Sequence, residues 1–541
     1  MPNYYKAAVS LLDGGITSIA NALRGKYMHN EPLAFPEGIV ESIKNIEDHS
    51  MEDRLIASYN TVYSYYSNDR VTTISPYFFN HYQFTSVNFP KCQTIGSGAF
   101  SYCRSLTTIS FPECTSIGAF AFFFCDSLES AVFPKCSVVD YSAFHYCDNI
   151  VSISFPICVK ISGNAFANCS SIQQADFPEC TQIYSQAFYK CTALSSISFP
   201  KCTYIGPSAF QNCANLMTAY FPECSTINNY AISNCSNLES VNFPTCATID
   251  YGAFATCIKL SSVSFPICTS IGNSVFQRCT NLISVNFPMC TSIGSSAFSN
   301  CAQLMSVSFP ECKNIYLDAF YNCSSLVNVD FPKCKNISTS AFADCASLTA
   351  ISFPVCTSIG ISAFVNCSSL TSINFPECSR IGHNAFASCI KLAFVNMPKC
   401  QTIMPLAFTH CTNLITIDFP ECNTVGSYAF SFCSNLTSVA LPKCNTIGSY
   451  AFAYCSNLTS VSFPMCTYIQ DYAFSRCSNL ESIYLDYSSI CSLAATTAFT
   501  STKITSTTGS IFVNVSLVDA YKVASNWSYF SNRIFAIGES T

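Results

Sequence analysis

Charge is scarce in this sequence: only 10% of its 541 residues are Asp, Glu, Lys or Arg. The formal net charge of −6 is spread along the chain. Basic clusters are missing, so the electrostatic footprint of a nucleic-acid-binding protein is missing too. No unbroken run of about 18 apolar residues occurs, which excludes a membrane-spanning helix and any expectation of membrane insertion. Histidine is limited to His29, His49, His81, His145, His383 and His410. None stands beside a repeated Ser, Asp or Cys as a catalytic triad requires, and each reads as a solvated residue at a variable position. Glycine-rich phosphate loops are absent. Acids occur singly or in a regular ladder, without the paired carboxylates of a glycoside hydrolase. Closely spaced cysteine pairs, the usual mark of zinc sites, do not occur. The expectation is therefore no enzyme, no cofactor and no metal. The opening residues MPNYYKAAVSLLDGG also lack the basic start, apolar core and small-residue cleavage site of a secretory signal. A chain that reaches an extracellular surface would then need another route.

What is abundant is cysteine, 37 residues in all. From Cys92 to Cys477 one falls every 11 residues without a slip, and Cys491 alone stands outside the series. Disulfide scaffolds space their cysteines irregularly, because each bridge staples a different loop. A strict period puts each cysteine at the same place in successive coils. There it reads as a small buried apolar side chain with a weak donor, kept reduced if the chain folds in the cytoplasm. Disulfides between coils and a metal ladder are the alternatives.

The period of the whole pattern is 22 residues, as in LTSVSFPMCTYIQDYAFSRCSN from Leu458 to Asn479. Its form is L-x-x-[IV]-x-F-P-x-C-x-x-I-x-x-x-A-F-x-x-C-x-x. Repeats of this length opening in this way are the signature of a leucine-rich-repeat solenoid. The alternation in L-x-x-V-x-F marks a short half-buried strand. Proline, lacking an N–H, ends it. The segment I-x-x-x-A-F-x-x-C spaces its apolar residues at helical intervals and predicts a short helical or 3-10 turn. Each coil then contributes one short parallel strand and one such turn.

The residue between proline and cysteine reports on stacking. It runs Lys91, Glu113, Lys135, Ile157, Glu179, Lys201, Glu223 and, further on, Glu311, Lys333, Val355, Glu377, Lys399, Glu421, Lys443. No two successive coils carry like charges there. Residues 22 apart gain from this alternation only if they are neighbours in space, where facing opposite charges contribute about 0.2–1 kcal/mol.

The solenoid occupies residues 92–485, about 18 repeats. Residues 51–91 read as a linker and a degenerate N-terminal capping repeat, in which Tyr82 replaces a cysteine and Phe84 the opening leucine. Residues 486–541 read as a C-terminal cap: a strand, then a helix around Trp527. Residues 1–50 form a small helical docking module, with Ile16, Ile19, Ala20 and Leu23 on one helical face and Pro36 opening a second helix.

The tails TSIGSSAFSNC (291–301), TSIGISAFVNC (357–367) and NTIGSYAFAYC (445–455) resemble the BspA-like leucine-rich repeats, and the resemblance covers about 400 residues. Cysteine stands here where that family more often has valine. The segment VSLVDAYKVASNWSYF (515–530) is similar to the end piece of such proteins from gut bacteria and their phages. Residues 19–46 are similar to short helical segments that open phage tail-associated proteins. The resemblance implies an adhesin that binds host proteins, glycans or other bacteria, with no catalytic residues to carry over.

Aromatic residues gather at variable positions of the turn segment. Tyr428, Tyr450 and Tyr472 fall 22 apart and are expected to form a column beside Phe432 and Tyr454. A second group comprises Tyr102, Phe120, Phe123, Phe124 and Tyr146. Exposed aromatics mark recognition surfaces; packing between coils or against a cap is the alternative. Three functions fit. The first is an adhesin or receptor-binding component on a phage virion, held to virion proteins by residues 1–50. The second is a structural element that self-assembles, as a homo-oligomer, in a virion or an extracellular fibre or layer. The third is a microbial cell-surface adhesin exported without a standard signal. The expected partner is a host-surface protein or glycan.

Overall fold

The computed structural model of the chain describes residues 65–506 and 508–539. The helical module expected at 1–50 and most of the linker before the first coil lie outside these residues. The chain divides into two compact units, residues 1–244 and 245–541.

In the first unit each coil opens with a three-residue strand such as Ser152–Ser154, whose middle residue, Ile153, is buried while its neighbours face outward. The strand pairs in parallel with Ser130–Val132 before it and Gln174–Asp176 after it, with partners 22 residues apart. Phe155 is buried beyond the strand, and Pro156 ends the pairing. A second strand of two residues follows the cysteine. Lys160–Ile161 pairs with Val138–Val139 and with Gln182–Ile183, and its isoleucine points into the core. The second unit repeats this: Ser262–Ser264 pairs with Ser284–Asn286, and Ser270–Ile271 with Ser292–Ile293. A whole-number period of 22 keeps every position in register with itself, so each coil buries what its neighbour buries.

The third side of each coil departs from the expected helical or 3-10 turn. Between Gly426 and Cys433 the N–H groups of Ala429, Ser431 and Cys433 donate to carbonyls three residues back. The alternate N–H groups, of Tyr428, Phe430 and Phe432, donate instead to Ser449, Ala451 and Ala453 of the next coil, at 2.9, 2.7 and 2.8 Å. The segment is a chain of tight turns laid down as a third ladder. A helix cannot form, because Tyr428 and Phe432 stand in the left-handed region with φ of 59° and 61°. Nearly every coil places two residues there, most of them not glycine. Among the described residues, helix is confined to the C-terminal cap: Thr496–Phe499, Val515–Leu517, Val518–Val523 and Trp527–Arg533.

Stacked phenylalanines fill the core. In the second unit Phe320, Phe342 and Phe364 lie face to face at 5.1 and 5.2 Å, while Phe331 and Phe353 form a parallel column. Each is at most 1% exposed. Burying such a ring stabilises by about 1.5–3 kcal/mol, and each pair adds about 0.5–1.5 kcal/mol.

All 37 cysteines are buried free thiols, in the role of small core residues. In one series each thiol donates to a carbonyl two residues on, as Cys136 does to Val138. In the other it donates to the carbonyl of the preceding coil's buried phenylalanine, as Cys455 does to Phe430 at 3.2 Å. At the N-terminal end Tyr82 and Phe84 fill the cysteine and leucine places, and Tyr66 covers Phe79, Phe84 and Phe89. At the other end Ser510–Val513 pairs with Ser482–Leu485, and the last ring of the column, Phe499, meets Trp527 and Phe530. The indole N–H of Trp527 donates to the carbonyl of Cys491 at 2.6 Å.

Candidate functional site

The turn ladder points two residues of each coil outward, five and one positions before the second cysteine, and both stand at positive φ. In most coils they are small or polar: Ser296 and Asn300, Ser340 and Asp344, Ser362 and Asn366. Across three coils of the second unit five of the six are aromatic, the sixth being Arg476. Tyr428 stacks on Tyr450 at 4.7 Å and 4°, and Tyr450 on Tyr472 at 4.8 Å and 11°. In the neighbouring column Phe432 stacks on Tyr454 at 4.3 Å and 12°. The structure thus brings all five rings into two adjacent columns.

The second column is longer than its sequence reading. His410 stacks on Phe432 at 4.4 Å, and the guanidinium of Arg476 lies 5.1 Å over Tyr454. Both follow from the same 22-residue step, one coil before Phe432 and one after Tyr454. Ser431, Ala453 and Ser475, between the columns in sequence, are buried. Three of the five rims remain open, with Tyr428 39% exposed and Phe432 and Tyr454 36% each, while Tyr450 and Tyr472 are half-buried. Partial burial and the neighbouring phenols of Tyr428 and Tyr472, together with Asp471 and Tyr454, hold the Tyr450 hydroxyl above the ordinary tyrosine pKa. The two columns lie side by side, because the three residues between them in each coil, such as Ala429, Phe430 and Ser431, are buried. Arg476 is exposed and, among the described residues, makes no ion pair.

The second group is built differently. Tyr102, Phe124 and Tyr146 stack at 5.2 and 4.4 Å, with His81 on Tyr102 at 4.7 Å. Phe123 meets Phe124 and Phe120 edge to face at 4.7 and 5.5 Å. All five predicted rings are half-buried. Arg104, 5.4 Å over Phe124, is held by Asp126 at 3.3 Å. Here the rings pack against one another and the cation has its anion. His145 is half-buried against Tyr146, bonded to Asn168, and burial pushes its pKa down to about 4. It is a neutral packing residue and departs from the reading of the histidines as solvated, whereas His81 and His410 are exposed as expected while stacking on Tyr102 and Phe432.

The charge ladder closes in one direction only. Lys135, Lys201, Lys333, Lys399 and Lys443 each reach the glutamate of the preceding coil, Glu113, Glu179, Glu311, Glu377 and Glu421, at 2.6–2.7 Å. The pairs in the opposite order, Lys91 with Glu113, Lys201 with Glu223 and Lys399 with Glu421, are not ion pairs. In each of them at least one partner is already engaged elsewhere. These exposed contacts hold coils in register and form no site.

The BspA type leucine-rich repeat region matches residues 72–194, 159–282, 269–393 and 379–505. No curated protein matches the sequence. Among solved structures, a leucine-rich repeat protein from Bacteroides ovatus is 23% identical, with 66% of this chain and 87% of that one covered and a TM-score of 0.50. A leucine-rich cell surface protein from Faecalibacterium prausnitzii is 22% identical over 80% and 89% of the two chains, with a TM-score of 0.31. A leucine-rich repeat protein from Eubacterium ventriosum is 19% identical over 56% and 82%, with a TM-score of 0.33. With a repeat match running from residue 72 to residue 505, the chain belongs to the BspA-type leucine-rich-repeat family.

Proposed function

We propose that this chain is a non-catalytic binding protein of the adhesive kind, and that the paired ring columns of its second unit are its contact surface. One observation carries the reading. Coils fold with serine and asparagine at the two left-handed positions, as at Ser296 and Asn300, yet between residues 428 and 472 these positions hold tyrosine and phenylalanine. A left-handed backbone costs an L-residue with a bulky side chain roughly 1–2 kcal/mol, and stacking offsets that without requiring exposed rims. Exposed, adjacent rings mark a surface kept for a partner. The leucine-rich cell surface protein from Faecalibacterium prausnitzii agrees with a surface role for this family. For the carrier we favour a phage particle, with residues 1–50 bound to virion proteins, because residues 19–46 are similar to phage tail-associated segments; a microbial cell surface is the other carrier.

The test replaces the columns with residues the chain itself uses there: Tyr428→Ser, Tyr450→Ser, Tyr472→Ser, Phe432→Asn and Tyr454→Asn together. Adhesion of the labelled chain to intestinal epithelial cells and to gut bacteria, read by flow cytometry, should fall at least tenfold. Undiminished adhesion of the fivefold variant would exclude the columns as the contact surface. Deleting residues 1–50 should leave adhesion intact and remove the chain from virions.

A further inference from the structure

The stacking geometry decides what these columns can hold. Sugars dock on aromatic residues through the ring face, and here the inner faces are taken. Successive rings lie 4.3–4.8 Å apart and within 12° of parallel, which leaves no space between them. What the columns present is rims and hydroxyls. The rim of an aromatic ring is its electropositive part, and Tyr428, Tyr450 and Tyr472, whose ring centres repeat every 4.7–4.8 Å, form a row of phenols that can donate. At one end Arg476 adds a full positive charge that, among the described residues, has no carboxylate in an ion pair with it, where in the first unit Arg104 has Asp126. One carboxylate, Asp471, lies beside the row, and it is already engaged as acceptor by the Ser449 hydroxyl. What the surface has left to offer is the phenols, which can all donate, and the guanidinium, so its complement is an anion bearing many acceptors.

Spacing selects between two such partners. An extended peptide shows same-side groups every second residue, about 6.6 Å apart. That falls out of step with the phenol row after one coil. A polysaccharide offers several hydroxyl and ring oxygens per sugar and can serve the row without matching it.

We propose that the surface of Tyr428, Tyr450, Tyr472, Phe432, Tyr454 and Arg476 binds an acidic polysaccharide, its carboxylate or sulfate at the Arg476 guanidinium and its hydroxyl and ring oxygens accepting from the phenols. This rests on the columns being the contact surface. The inner sugars lie across the ring rims, and only a terminal ring offers a face.

The full-length chain is titrated by biolayer interferometry against hyaluronan and polygalacturonate, which carry carboxylates, heparin, which carries sulfate, neutral dextran, and poly-L-glutamate. Binding is expected to at least one of the three acidic polysaccharides, and the set that binds identifies the acid group. It should weaken with added salt, because part of the attraction is screened charge, and dextran and poly-L-glutamate should not bind. Arg476→Asn should weaken binding at least tenfold with an unchanged melting temperature, since Asn300, Asn322 and Asn366 hold the same coil position at the same φ. Arg104→Gln should leave binding unchanged. Equal binding to dextran or to poly-L-glutamate, an Arg476→Asn variant as tight as the parent, or no binding to any acidic polysaccharide would each overturn the proposal. If no acidic polysaccharide binds while the fivefold variant still loses adhesion, only this inference falls. If that variant adheres normally, both readings fall.

Discussion

At Tyr450 two forces of similar size oppose each other. Its backbone sits at φ 56°, a conformation that asparagine accepts far more readily than an aromatic residue. Its ring meets Tyr428 on one side and Tyr472 on the other, worth about 0.5–1.5 kcal/mol per pair. Tyr450→Asn should therefore relieve roughly 1–2 kcal/mol of strain while losing two stacking contacts, for a net destabilisation of no more than about 2 kcal/mol. Phe452, two residues on, is fully buried between Phe430 and Phe474. Phe452→Ala should cost about 3–5 kcal/mol. Urea unfolding of the two variants side by side separates a surface ring from a core ring. Equal losses would make the tyrosine column part of the core and weaken its reading as a contact surface.

Between coils, direction matters as much as charge. All five bridges of the ladder have glutamate in the earlier coil and lysine in the later one. Glu311 and Lys333 give the clean case, because the coils beside them carry Met289 and Val355 at this position. Lys333→Met should cost about 0.2–1 kcal/mol. The exchange Glu311→Lys with Lys333→Glu should recover less than half of that, and a thermal-melt double-mutant cycle reads the difference. Full recovery would show that the order is incidental. The pairing itself was legible in the sequence because a whole-number period makes residues 22 apart neighbours, and the same rule placed Tyr428, Tyr450 and Tyr472 in one column. It reaches His410 and Arg476 as well, but a histidine and an arginine extend a column of Tyr and Phe without sharing its residue type, so each reads as an isolated variable residue. The turn backbone was misread for a different reason. Ile, Ala, Phe and Cys recur at helical intervals there because the tight-turn ladder turns a side chain outward only every fourth residue, as at Tyr428 and Phe432, and buries Ala429, Phe430, Ser431 and Cys433. The contrary signal was the recurrence of Asn at the second outward position, at Asn168, Asn212 and Asn234, with Gly98 and Gly252 at the first.

Through most of the coils the buried thiols act together, with Cys422 an exception that its hydrogen bond with Cys444 holds below the ordinary value. Burial pushes Cys92 and Cys158 up to about 11, and Cys136 and Cys202 up to about 12. In the second unit it pushes Cys290 and Cys378 up to about 11, and Cys268, Cys312 and Cys356 up to about 12. An unfolded thiol ionises near 8.5. Below that value both states hold the proton and pH has no effect through these groups. Above it the unfolded chain releases protons that the folded chain keeps, so stability falls as pH rises, by about 1.4 kcal/mol per pH unit for each thiol until its folded pKa is reached. Each repeat carries two cysteines, so five coils unfolding together would lose about 14 kcal/mol per pH unit by the same arithmetic, as much as the entire stability of an ordinary domain. The chain should therefore hold its circular dichroism unchanged to about pH 9 and unfold steeply within the next one to two units, in the presence of a reductant. Thiolate absorbance near 240 nm should appear together with the loss of structure, and a thiol reagent such as 5,5′-dithiobis(2-nitrobenzoic acid) should find almost nothing to react with at pH 7.5. Thiolate signal rising well before the structure is lost would mean that the columns admit water and hydroxide, and a fold intact beyond pH 12 would mean that the buried thiols do not couple to stability at all.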